Sequence, residues 1–114
     1  MRHLKRGRKF GRERDQRRAL LRSMAASLFR QGRIRTTEAK AKALRTYAEK
    51  LVTRAKHPSL ANRRLLLSSF SPAVVDEIIA RAEALRKQPG GYTRIMRIGE
   101  RRSDRAAMAL IEFI

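Results

Sequence analysis

The sequence predicts an α+β domain in which helices pack on a small, mixed three-stranded sheet. Four segments repeat apolar residues at helical spacing, and three shorter segments alternate or are rich in β-branched residues. They follow the order arm, helix, strand, three helices and two strands, which predicts a two-layer arrangement. A length of 114 residues with 42% hydrophobic residues fits one such domain with one core.

Residues 1–13 are predicted to form an arm outside the core. They contain two glycines and one aromatic residue, Phe10, and they show almost no apolar periodicity. Basic segments of this kind stay disordered until they bind a partner. We therefore expect a basic N-terminal arm over residues 1–13 and one globular domain over residues 14–114.

The first helix is expected to begin near Asp15, whose carboxylate can cap it. Gly32 suits the left-handed position that follows a helix, so the helix should end at Gln31. The segment RIRTT, residues 33–37, alternates and contains β-branched side chains, which predicts a short strand. The predicted core-facing residues of the helix are Leu21, Met24, Ala25, Leu28 and Phe29.

A second helix is predicted after Thr37, a capping residue that is followed by Glu38 in the first turn, where negative charge is favourable. The pair His57-Pro58 should end this helix, because proline cannot continue it. Its predicted buried face is Leu44, Tyr47, Ala48, Leu51, Val52 and Ala55.

Two shorter helices should follow. Ser59 is expected to start the third helix, and Ser71 followed by Pro72 is typical of the start of a fourth. The apolar residues of the third helix are Leu65, Leu66 and Leu67. The predicted buried face of the fourth helix is Val75, Ile78, Ile79, Ala82 and Leu85.

Residues 92–98 and residues 107–113 are the last two predicted strands, joined by the polar segment GERRSDR, residues 99–105. Arg94 and Arg97 should lie on opposite faces of the first of these strands, because side chains alternate along a strand. A strand that packs on a core normally carries charge on one face only. The pattern therefore indicates that these arginines meet a charged partner.

The charge of the chain indicates what that partner is. Twenty-nine Lys and Arg stand against ten Asp and Glu, a formal charge of +19, which predicts binding to a polyanion. Arginine outnumbers lysine, and its planar guanidinium matches phosphate. The chain has no cysteine, which excludes disulfides and thiolate metal sites. No apolar run approaches membrane-spanning length and the start lacks a secretory apolar segment, so we expect a cytoplasmic protein and no membrane partner.

No catalytic site is predicted. His3 lies in the arm and His57 precedes a proline, and neither has a second ligand at metal-binding spacing. Asp76 and Glu77 are adjacent on a helix, where successive side chains diverge and cannot share one site. We therefore expect no enzyme activity, no cofactor, no metal and no small-molecule substrate.

The basic residues of the arm, the first helix and the last hairpin are the predicted nucleic-acid contacts. Arginine-rich segments with interspersed glycine can follow a phosphate backbone and fold as they bind. The arginines of the first helix are expected to lie largely off its core face. The predicted RNA-binding residues are Arg2, His3, Lys5, Arg6, Arg8, Lys9, Phe10, Arg12, Arg14, Arg17, Arg18, Arg22, Arg94, Arg97, Arg101, Arg102 and Arg105.

Three alternatives stay open. Arg94 or Arg97 could instead form a structural ion pair with Glu100 or Glu112. Phe10 could anchor the arm to the core rather than stack on a base. The basic residues of the second helix could be a solvated face or a further contact, and they are Lys40, Lys42, Arg45 and Lys50.

Four motifs resemble the bacterial large-subunit ribosomal protein seventeen family: MRHLKRGRKFGR at the start, IRTTEAKAKALR, ANRR, and GGYTRIMRIGERRSDRAAMALIEF near the end. They occur in order over essentially the whole chain. The resemblance implies a two-layer fold of helix, strand, three helices and two strands. It also implies a structural protein bound to 23S ribosomal RNA near the exit of the peptide tunnel, with ribosomal proteins thirty-two and twenty-two as neighbours.

Two other classes of protein compete with this interpretation. Composition alone also fits a sequence-independent, DNA-compacting protein, which would bind any duplex with comparable affinity. An RNA-modifying enzyme would need a nucleophile, metal or cofactor site that the sequence does not contain.

Overall fold

The structure, a computed structural model, describes residues 13–114. Their elements are α1 (Arg14–Gln31), β1 (Arg33–Thr37), α2 (Glu38–Ala55), α3 (Leu60–Leu67), α4 (Pro72–Ala84), β2 (Thr93–Glu100) and β3 (Ala107–Phe113). The predicted α+β fold class and the predicted order of elements are confirmed. The arm, residues 1–13, lies outside the described residues except for Glu13.

Short polar side chains begin three of the helices, as predicted. The Thr37 hydroxyl accepts a hydrogen bond from the Lys40 amide at 3.4 Å, and the Ser59 hydroxyl accepts one from the Asn62 amide at 3.1 Å. The Ser71 hydroxyl accepts one from the Val74 amide at 3.4 Å. Each bond satisfies one of the amides that a helix leaves free in its first turn.

α1 begins differently from the prediction. Its N-cap is Glu13, with no side-chain capping bond, and Asp15 lies in the first turn instead. A carboxylate in the first turn still opposes the positive end of the helix dipole. At the other end Gly32 adopts the predicted left-handed conformation, with φ 85°, and its amide donates to the Leu28 carbonyl at 2.7 Å.

The sheet has the strand order β1-β3-β2, and both pairs of neighbouring strands are antiparallel. The predicted mixed sheet is therefore wrong in this detail. The three helices between β1 and β2 return the chain so that these two strands run in the same direction. β1 and β2 would pair in parallel if they were neighbours. However, β3 turns back after β2 and lies between them, so each neighbouring pair is antiparallel.

The core lies between the helices and one face of the sheet. Alternate residues of β3, namely Ala109, Ile111 and Phe113, are buried on that face. Ile78 of α4 is 0% exposed, whereas its neighbour Ile79 is only partly buried. α3 contributes Leu66 alone, because Leu65 and Leu67 are 51% and 39% exposed. The predicted stripe of α2 is confirmed, with Tyr47 half-buried.

The start of β2 is fixed to α2 by a small polar cluster. Tyr92 is buried and lies just before the strand, and its hydroxyl is 3.4 Å from the Thr53 hydroxyl. The Glu49 carboxylate accepts hydrogen bonds from the Thr93 amide at 3.2 Å and the Thr93 hydroxyl at 2.9 Å. The Lys56 ammonium lies 4.4 Å from the centre of the Tyr92 ring. These contacts set the position from which β2 presents its arginines.

Candidate nucleic-acid interface

The predicted contact residues of the arm lie outside the described part of the chain. They are Arg2, His3, Lys5, Arg6, Arg8, Lys9, Phe10 and Arg12. The others lie at two places in the fold, on the N-terminal half of α1 and on the β2–β3 hairpin.

On α1, Arg14 and Arg18 are exposed but Arg17 and Arg22 are half-buried. The sequence pattern predicts that these arginines lie largely off the core face, and for Arg17 and Arg22 this prediction is wrong. The reason is spacing, since Arg22 precedes the buried Ala25 by three residues and so shares its side of the helix. The buried stripe of α1 ends at Ala25, and arginine continues the same side toward the N-terminus.

Arg22 faces α2. Burial raises the pKa of the half-buried Tyr47, and the positive charges of Arg22 and Arg54 act in the opposite direction. Arg22 therefore comes close to the Tyr47 phenol across the α1–α2 contact, and Arg54 comes close to it from α2 itself. Arg17 Nε is enclosed and has no hydrogen-bond partner within residues 13–114. This part of α1 places positive charge beside α2.

Arg94 and Arg97 lie on opposite faces of β2, as predicted. Arg94 Nε donates to Glu112 Oε1 at 2.6 Å, and Arg97 lies 3.1 Å from Glu38. The alternative of a structural ion pair thus holds for Arg94 with Glu112, while the partner of Arg97 is Glu38 rather than Glu100 or Glu112. The side chains of Arg94 and Arg97 are still 63% and 79% exposed. Because a guanidinium has five N–H donors, both can hold a carboxylate and bind phosphate as well.

Glu38 is shared between two cations. The hydrogen bond from Lys42 is the main cause that lowers its pKa, and Arg97 adds to the effect. Of the basic residues of α2, Lys42 is thus paired within the protein, at 3.1 Å from Glu38. Arg45 and Lys50 are exposed and line a groove of about 650 Å³ between α2 and the start of β2, together with Arg54.

The turn between β2 and β3 is held by its own ion pair. Arg101 donates from Nε to Asp104 Oδ1 at 3.0 Å and from Nη2 to Asp104 Oδ2 at 2.8 Å. Asp104 Oδ1 also accepts from the Ala106 amide at 3.1 Å. Arg105 has a left-handed backbone, with φ 57°. Arg102 and Arg105 are exposed and form no ion pair within residues 13–114, so this clamp leaves both open to a ligand.

We expect Asp104 to titrate far below an ordinary aspartate. The hydrogen bond from Arg101, followed by the Ala106 amide, lowers its pKa from 3.8 to about 2. A depressed pKa means that the clamp is intact above pH 3.8 and is lost as the pH falls through about 2. Carboxyl-carbon NMR on the wild type and on Arg101→Ala would measure this. The substitution should raise the midpoint toward 3.8, and an unchanged midpoint would show that Arg101 does not hold the turn.

Sequence reasoning did not assign two residues of β1 that lie on the same face of the sheet as Arg94, across β3 from it. Arg33 and Arg35 of β1 are exposed, and Arg33 lies opposite Glu112, which pairs with Arg94 from the other side. The alternation Arg-Ile-Arg contained this signal, because residues two apart share a face of a strand. The alternation could not show that β3, and Glu112 on it, would lie next to β1.

Within residues 13–114, no group of three or more His, Asp or Glu is arranged to hold a metal ion. None of the helices in the same range is long and apolar enough to cross a membrane.

Residues 20–114 match the family model described as ribosomal protein L17. The chain belongs to the ribosomal protein L17 family. The match begins within α1 and runs to the end of β3, so it includes Arg22 and all the candidate arginines of the hairpin. The arm, together with Arg14, Arg17 and Arg18, precedes the matched residues.

Proposed function

We propose that this member of the L17 family is a structural constituent of the large ribosomal subunit. In that role it binds and stabilises 23S ribosomal RNA near the exit of the peptide tunnel. The family match carries the assignment to the ribosome. The location near the tunnel, with ribosomal proteins thirty-two and twenty-two as neighbours, rests on the resemblance of the four sequence motifs. The protein acts in the cytoplasm and catalyses no reaction.

The distribution of charge supports RNA as the direct partner. Residues 1–12 contain six Lys and Arg and no acid, so residues 13–114 still carry a formal charge of +13. Residues 71–90 balance three basic against three acidic side chains, so the excess lies elsewhere in the domain. A folded domain with this excess repels itself in solution, and bound phosphate relieves the repulsion.

A DNA-compacting protein is the rival function that composition allows. It would bind any duplex with comparable affinity, whereas a ribosomal protein should prefer structured ribosomal RNA. Sedimentation of cell extracts through sucrose after a high-salt wash separates the two. We expect the protein to stay with the large subunit, and its recovery with chromosomal DNA instead would overturn the proposed function.

We expect binding to ribosomal RNA to weaken steeply with salt, because counterions are released when phosphates are neutralised. If about six phosphates are neutralised, affinity should fall on the order of a thousandfold between roughly 50 and 200 mM salt on the duplex slope, and less on single strands. Filter binding of a 23S transcript across this range measures the slope. A flat response would show that the positive charge serves something other than phosphate.

A further inference from the structure

The face of the sheet that points away from the helices carries an ordered pattern of arginine and apolar side chains. Ala109, Ile111 and Phe113 of β3 point into the core, so Met108, Leu110 and Glu112 point to the other side. We call this other side the outer face. Residues directly opposite one another on antiparallel strands share a face, so the register identifies the rest of its members.

Two rows cross the three strands of the outer face. In the first, Arg33 of β1, Glu112 of β3 and Arg94 of β2 lie opposite one another. In the second, Arg35 lies opposite Leu110, which lies opposite Met96. Met108 continues the central strand beside these rows. In the first row arginine thus occupies both edge strands, about 9.5 Å apart across Glu112 on the usual strand spacing, and the second row adds the apolar Leu110 and Met96 next to them.

This face is open to solvent at both edges, and Met108 and Leu110 at its centre are half-buried. Met96 is 40% exposed, and Arg33, Arg35 and Arg94 are all exposed. Its one acid, Glu112, has a side chain that is only 14% exposed and is held by Arg94. Arg33 and Arg35 form no ion pair within residues 13–114. The outer face therefore offers positive charge at its edges, apolar surface at its centre and no free negative group.

We infer that the outer face binds unpaired nucleotides of ribosomal RNA. Arg33, Arg35 and Arg94 bind the phosphates, and Met96, Leu110 and Met108 pack against bases and sugars. This assignment rests on the proposed function and adds to it a binding surface that is separate from the arm.

The chemistry of the face favours unpaired RNA over other occupants. Duplex RNA stacks its base faces inside the helix, so its phosphates could contact the arginines but its bases could not cover the apolar residues. Loops and bulges present phosphates and base faces together, so they can contact both. A protein occupant would need both acidic and apolar side chains in the same short span. The centre has methionine rather than aromatic side chains, and methionine is unbranched and adapts to irregular flat surfaces.

The test compares charge loss on the outer face with equal charge loss elsewhere. Arg33→Gln combined with Arg35→Gln is the test variant. Arg64→Gln combined with Lys87→Gln is the control, because both residues are exposed, lie outside the three strands and form no ion pair in the described range. Net charge is the same in the two variants, so long-range attraction to RNA is matched.

Filter binding and hydroxyl-radical footprinting on a full-length 23S transcript give the readouts. We expect the test variant to reduce the slope of log affinity against log salt by about 1.4, the single-strand value for two phosphates. It should also lose protection at one discrete group of nucleotides, which the control keeps. Met96→Ala should weaken protection at the same nucleotides and leave the salt slope unchanged, since it removes apolar contact and no charge.

The outcomes separate this inference from the proposed function. If the wild type protects no part of the transcript, the proposed function fails and the inference with it. If the wild type protects the RNA but the test variant matches the control in slope and footprint, the inference alone fails. It fails as well if the test variant keeps the whole footprint and instead loses a cross-link to a neighbouring protein in assembled subunits, because the face would then bind protein.

Discussion

We expect the substitution Ile78→Asp to unfold the domain. Ile78 lies on α4 within the core and has no exposed surface. The new carboxylate would be buried without a cation, or would take up a proton and remain a buried polar group, and the apolar burial of isoleucine would be lost in either case. The cost is several kcal/mol, against a total stability of roughly 5–15 kcal/mol for a domain of this kind. Circular dichroism at 25 °C should show loss of the helical signal.

Ile79→Asp is the matched control. The apolar pattern of the sequence placed Ile78 and Ile79 on the same buried face, but the structure leaves Ile79 only partly buried at the edge of the core. A carboxylate there can reach water, so this variant should fold and melt at a lower temperature than the wild type. A cooperative, near-wild-type melt of Ile78→Asp would contradict the position of α4 in the core. Complete unfolding of both variants would show that the core extends past Ile79.

The features that the sequence predicted correctly are those decided by neighbouring residues. The caps Thr37, Ser59 and Ser71 each bond to an amide three residues ahead, so a short window of sequence contains the whole interaction. The end of α1 at Gly32 depends on one backbone conformation that glycine adopts without strain. The bounds of β1 and β3 followed from local alternation and β-branched composition.

The features that the sequence did not predict depend on residues far apart in the chain. Arg97 and Glu38 are separated by most of the domain and meet because β3 brings β2 alongside the start of α2. α3 is a second case, because Leu65, Leu66 and Leu67 point about 100° apart around the helix and only the fold shows that Leu66 is the one that faces the core. Apolar periodicity alone does not show which side chains of a helix or strand the rest of the fold covers.

The same limit applies to the candidate interface. The sequence identified arginine on α1 and on the hairpin, but the pairing of Arg94 with Glu112 and the position of Arg33 beside them follow from strand order. Arg22 lies on the core side of α1 because it precedes Ala25 by three residues, and only the fold shows that the buried stripe stops at Ala25. Local pattern therefore found the charged segments, and tertiary structure decided which charges are already paired.

We expect removal of the arm to separate folding from assembly. Every residue of the described core lies at Ala25 or later, and α1 begins with a hydrogen bond from the Arg17 amide to the Glu13 carbonyl at 2.9 Å. Deleting residues 2–12 keeps Glu13 and so keeps the start of the helix. The domain should melt at or slightly above the wild-type temperature, because its formal charge falls from +19 to +13 and self-repulsion decreases.

Incorporation into large subunits should fall sharply in the same truncated protein. The deleted segment holds six Lys and Arg and no acid, about a third of the net charge. If each cation meets one phosphate, the salt slope of RNA binding should fall by up to about 5 on the duplex scale. Reconstitution followed by sucrose-gradient sedimentation measures incorporation, and circular dichroism on the same samples measures folding.

A full-length variant in which those six Lys and Arg are replaced by Gln distinguishes the charge of the arm from its length. We expect it to fail in incorporation as the truncation does, because phosphate contacts are lost in both. If the truncated protein instead unfolds as Ile78→Asp does, the arm is part of the core and the division at residue 13 is wrong. If it folds and incorporates at the wild-type level, the arm adds no binding energy that assembly requires. Binding would then come from the described surface, where α1 and the hairpin carry exposed arginines that have no ion-pair partner among residues 13–114, including Arg18 and Arg102.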